Sequence, residues 1–112
     1  MAIDDRRMDR QRQLELFSLE AHRLGVERLR ADPSKLQILI DTLHRWRRQS
    51  GPGHSDPYFD AWERLLLEGV DAVEAATCHD NDHAAVMRST SPFAPLITAS
   101  ERMEMLTRCR NP

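Results

Sequence analysis

Twice the chain reads Asp-Pro, at Asp32-Pro33 and Asp56-Pro57, and between the two lies Gly51-Pro52-Gly53. Aspartate ahead of a helix accepts a hydrogen bond from the unpaired amides of the first turn, and proline at the first helical position gives up a donor that has no partner there. Glycine just past a helix takes the left-handed conformation that closes it. Together these signals dictate a helix over about Pro33–Ser50, a tight reversal, and a second helix over about Pro57–Thr77, packed antiparallel because the link is short. Leu36, Leu39, Ile40, Leu43 and Trp46 repeat at helical spacing on the first. Phe59, Trp62, Leu66, Val70 and Val73 form one stripe on the second, so Trp62 is expected in the core. Arg47, at the stripe's edge, should face Asp60 or Glu63. Gly69 costs about 1 kcal/mol in a helix against Ala, and beside the stripe it is expected to mark a close helix contact.

The flanks are less sharply written. A helix over about Asp5–Leu24 places Leu14, Phe17, Ala21 and Leu24 on one face, with Gly25 breaking it before a short Val26–Arg30 turn. Leu16 and Leu19 fall on the far side of that helix, which makes them candidates for a partner-binding or self-association face. Asp82 is placed to cap a short helix over His83–Arg88, and Ser91-Pro92 and Ala94-Pro95 mark a loop. Thr98-Ala-Ser-Glu101 is a capping box opening a last helix over about Ala99–Cys109, expected to bury Met103 and Leu106. No strand alternation and no internal repeat occur. The expected fold is all-α: a single domain over 1–112, a small helical bundle of three main helices plus two short C-terminal helices.

Composition narrows the function classes. With 40% hydrophobic but only 5% aromatic residues, the core must be largely aliphatic. No apolar run approaches the ~20 residues of a membrane span, and the opening MAIDDRRMDRQRQ is charged where a signal peptide is apolar. Cys78 and Cys109 are too few for a disulfide framework, so a cytoplasmic protein with reduced thiols is expected. Fifteen arginines against the single Lys35 fit GC-rich bacterial coding. The net charge of −2 hides a segregation. Residues 1–50 carry 11 basic and 8 acidic side chains, residues 51–87 carry Arg64 against eight acids, and residues 88–112 carry four arginines against two glutamates. Such a map can steer partners or can be one helix answering its neighbour.

Individual motifs point weakly. Ala21-His-Arg-Leu-Gly25-Val26 has the Ala-to-Gly spacing of a helix-turn-helix turn, but Pro33 falls where a recognition helix would run and would break it. In His44-Arg45-Trp46-Arg47-Arg48, Trp46 belongs to the apolar stripe and Arg47 to its edge. That leaves Arg45 and Arg48 as the phosphate or nucleic-acid candidates. His79, Asp82 and His83, beside Cys78, are of metal-ligand type, yet no second ligand pair lies at a zinc spacing, so no metal and no cofactor are expected. There is no Gly-rich phosphate loop, HExxH or GxSxG, so no catalytic residues are assigned. The reading is a small non-enzymatic protein that binds another protein, as an adaptor, inhibitor or regulatory subunit, and is itself a candidate homodimer. The alternative is a nucleic-acid-binding regulator working through Arg45 and Arg48.

Overall fold

In the computed structural model the described residues are 2–53 and 56–110, with side chains from residue 10 onward. The protein is 85% helical, without a strand among the described residues. The chain runs α1 (Ala2–Ala31), a 3-10 turn (Pro33–Lys35), α2 (Leu36–Ser50), α3 (Asp56–Glu68), α4 (Val70–Thr77), α5 (Asp82–Ser89), a second 3-10 turn (Ala94–Leu96) and α6 (Ala99–Arg110).

The hairpin forms as its punctuation demands. The Asp32 carboxylate accepts from the Ser34 amide, and α2 closes at Gly51, whose N–H donates to the Arg47 carbonyl. Arg47 meets Asp60 and His44 faces Glu63, so residue numbers run in opposite directions along α2 and α3. Leu39, Leu43, Phe59, Trp62, Leu66 and Val73 are all buried, and Trp62 is fully enclosed. Its indole N–H donates to the Met87 carbonyl at 3.0 Å and to Thr90 Oγ1 at 3.2 Å, satisfying the one polar group the ring carries into the core.

Two glycines exchange their expected roles. Gly69 is not a close contact: it has φ +110, open space around it, and it divides the expected single helix into α3 and α4. Only glycine adopts that backbone without strain. Gly25 does not break the first helix, which runs on to Ala31. It lies under the Phe93 ring, where an added Cβ would sit 2.3 Å from Cδ2 and 2.5 Å from Cε2. Among the described residues the bundle therefore has six α-helices rather than three long and two short ones. Gly25→Ala is expected to destabilise by about 1–3 kcal/mol, because overpacking against an enclosed ring outweighs the helix-propensity gain of about 1 kcal/mol. Urea denaturation reads the sign, and a gain in stability would mean that Phe93 yields freely.

The buried stripe of α1 runs through Leu19, His22, Gly25, Val26 and Leu29. That phase differs from the expected one: Leu14 is 52% exposed, and Phe17, Ala21 and Leu24 are half-buried. The reason is the covering from later in the chain. Helix α6 lies antiparallel on α1, tied by Arg28–Glu101 at one end and by Glu20 with Arg108 and Cys109 at the other. On α6 it is Met105 that is buried, at 3% exposed, while Met103 is 63% exposed and Leu106 half-buried. The capping box at its start is formed, with Thr98 N–H donating to Glu101 Oε1 and Glu101 N–H to Thr98 Oγ1. Asn81, not Asp82, caps α5, accepting from the Ala84 amide at 2.8 Å; Asp82 sits in the first turn.

Candidate functional site

The charge segregation is largely answered within the fold. Arg30 bonds Asp71 and Glu74, Arg12 bonds Asp80, Arg47 bonds Asp60 at 2.6 Å, and Arg28 bonds Glu101. The Arg28 guanidinium, with the Thr98 amide, holds the Glu101 carboxyl down at about 2. These are mostly exposed pairs that solvent screens, so they orient helices more than they hold them.

The sequence-derived candidates separate accordingly. Arg47 is engaged with Asp60 and lies 5.4 Å over the Phe59 ring, so it serves the hairpin as expected. Arg45 and Arg48 are exposed, and neither has a carboxylate partner among the described residues. Arg48 borders an open groove of about 640 Å³ that Asp56 and Asp60 also line, and their charge opposes a phosphate there. Leu19 is 5% exposed and Leu16 half-buried, which corrects the expectation that they form an uncovered face on α1. The cause is the true phase of that helix, whose buried stripe includes Leu19. His79, Asp82 and His83 all point into solvent, and no group of three His, Cys, Asp or Glu side chains is placed to hold a metal among the described residues.

A different constellation, not anticipated from the sequence, joins α1 to the 90–97 segment. His22 is 6% exposed and stacks on Phe93 with centroids 4.6 Å apart. Its Nδ1 is 2.7 Å from the Ser18 carbonyl, which can only accept, so Nδ1 carries the proton. Nε2 then accepts from the Ser91 hydroxyl at 2.7 Å, and Ser91 Oγ in turn accepts from the Phe93 amide. Burial pushes the His22 pKa down to about 4, aided by the nearby Arg88 charge and opposed by the Ser18 carbonyl. The imidazole is therefore neutral at pH 7 and a poor base, despite its hydrogen bond to a serine.

Next to it, Arg88 is also 6% exposed. Its Nη1 donates to the Thr77 and His79 carbonyls at 2.8 and 2.7 Å, closing the C-terminal end of α4, while its Nε has no hydrogen-bond partner. No carboxylate forms a salt bridge with it among the described residues, and burial lowers its pKa. His22, Arg88, Ser91 and Arg102 share the wall of a cavity of about 150 Å³, with Phe93 and Ile97 among its apolar members. Sequence reasoning missed this group because His22 and Ser91 stand 69 residues apart. The available signal was a histidine on the helix face that carries Val26 and Leu29.

The fold and this pocket define a small all-helical protein with a polar inlay at the junction of its first helix and its C-terminal third. No protein-family model, no curated protein sequence and no solved structure matches the chain.

Proposed function

We propose that the protein is a non-enzymatic binding protein that acts on another protein, as an adaptor, inhibitor or regulatory subunit, with a second copy of itself as one candidate partner. The observation that carries this reading is large apolar surface that no other part of the described fold covers. Leu67 and Met103, 74% and 63% exposed, are large apolar side chains left on the outer surfaces of α3 and α6.

Cys78 and Cys109 are free thiols, which supports a reducing compartment such as the bacterial cytoplasm. No helix among the described residues is long and apolar enough to cross a membrane. Sedimentation of the purified protein, with affinity capture from the source cells, tests the proposal. A dimer or one stoichiometric partner is expected, lost in Leu67→Glu/Met103→Glu with the helical circular dichroism unchanged. A strictly monomeric protein that retains nothing argues against it.

A nucleic-acid regulator remains the second reading, favoured by the exposed and carboxylate-free Arg45 and Arg48. It requires salt-dependent binding of generic DNA or RNA that falls in Arg45→Gln/Arg48→Gln.

A further inference from the structure

We infer that the cavity between α1, the 90–97 segment and α6 is a binding site for a small organic carboxylate with a short apolar body. Two arginines, Arg88 and Arg102, stand in its wall, and no aspartate or glutamate does. Arg88 is buried with hydrogen bonds only to neutral carbonyls, and its Nε bonds nothing. The Asp80 and Glu15 carboxylates act on it through space without a salt bridge, so an anion in direct contact would recover solvation that burial has removed. Arg102 is exposed at the rim and has no ion pair among the described residues, so it is placed to meet the same anion.

The remainder of the wall selects the body attached to that charge. Phe93 and Ile97 offer apolar surface, and the neutral His22 has both ring nitrogens committed to Ser18 and Ser91. A carboxylate would meet the two guanidinium groups while its alkyl group meets Phe93 and Ile97. At about 150 Å³ the cavity is smaller than the roughly 300–1,000 Å³ of pockets for drug-sized ligands, which suits a short-chain acid.

Amide-detected NMR titration of the whole protein with butyrate at pH 7 tests the site. Saturable shifts are expected at the Ser91, Phe93 and Ile97 amides, with a dissociation constant of the order of millimolar. Butyramide, the neutral isostere, should leave those amides in place, and Arg102→Gln should weaken butyrate about tenfold through loss of one charge-assisted contact. Arg88→Gln, if circular dichroism shows it folded, should weaken butyrate at least as much. Should it unfold, Arg102→Gln decides alone. No saturable shift at tens of millimolar, an equal response to butyramide, tighter binding of phosphate than of butyrate, or full affinity in Arg102→Gln would each overturn the assignment.

Discussion

Trp62→Ala is expected to lower the unfolding free energy by about 3–5 kcal/mol, the range for truncating a fully buried aromatic residue. Trp62 has no exposed surface and lies at the crossing of three parts of the core: the α2 face of Leu39 and Leu43, the Val73 end of α4, and the Phe93 ring at 5.9 Å. Alanine leaves a cavity, and it also removes the donor to the Met87 carbonyl and to Thr90 Oγ1. A domain of this size is stable by about 5–15 kcal/mol in all, so the loss is a large fraction of the total. Trp62→Phe keeps most of the volume and loses only the N–H, and because Thr90 still donates to the Met87 carbonyl it should cost only about 0.5–1.5 kcal/mol, the net worth of one hydrogen bond. Urea denaturation of both variants checks the pair. A loss below 1 kcal/mol for the alanine would place the ring outside the core.

The second large effect is a response to acid through His22. Its folded-state pKa of about 4 lies below the 6.5 of an exposed histidine, so between those values the unfolded chain binds a proton that the folded one refuses. Stability from this residue is complete above pH 6.5 and falls as the pH drops toward 4, by about 3 kcal/mol in total and about 2 kcal/mol by pH 5. The carboxylate of Glu101, depressed to about 2, is lost only at lower pH, so the upper window belongs to the histidine. Denaturation at pH 7.5 and 5.0 should show wild type losing about 2 kcal/mol more than His22→Gln. Equal losses would mean that the ring is solvated. Protonation would also turn Nε2 from an acceptor into a donor to Ser91 Oγ, reversing that hydrogen bond without breaking it.

The α2–α3 hairpin was legible because its instructions are local. Asp32, Pro33, Gly51, Asp56 and Pro57 act within a turn of where they stand, and the Arg47–Asp60 pair follows from the antiparallel register they impose. Helix α1 was legible as a helix but not in phase. Its leucines occur on more than one side, and the buried stripe passes through His22 and Gly25, residues that no hydropathy pattern marks as core. What decides the phase is Phe93 and α6, and no spacing rule reaches that far. Gly25 and Gly69 show the same limit: one glycine in a helical pattern signals either a break or a close approach, and only the residue above it tells which. The cavity was hidden for the same reason, since its wall draws on α1, the end of α5, the following loop and α6.

The dependence of α1 on Phe93 and α6 also sets an order of events during synthesis. His22 leaves the ribosome 69 residues before Ser91, and at about 5–20 residues per second the first helix waits roughly 3–14 s for its cover. Throughout that interval the bare backbone at Gly25, which Phe93 later covers, is open to any nascent-chain chaperone, and to the same stripe on a neighbouring polysome. Synonymous codons that slow translation between Ala31 and Ser91 would lengthen the exposure without altering one atom of the finished protein.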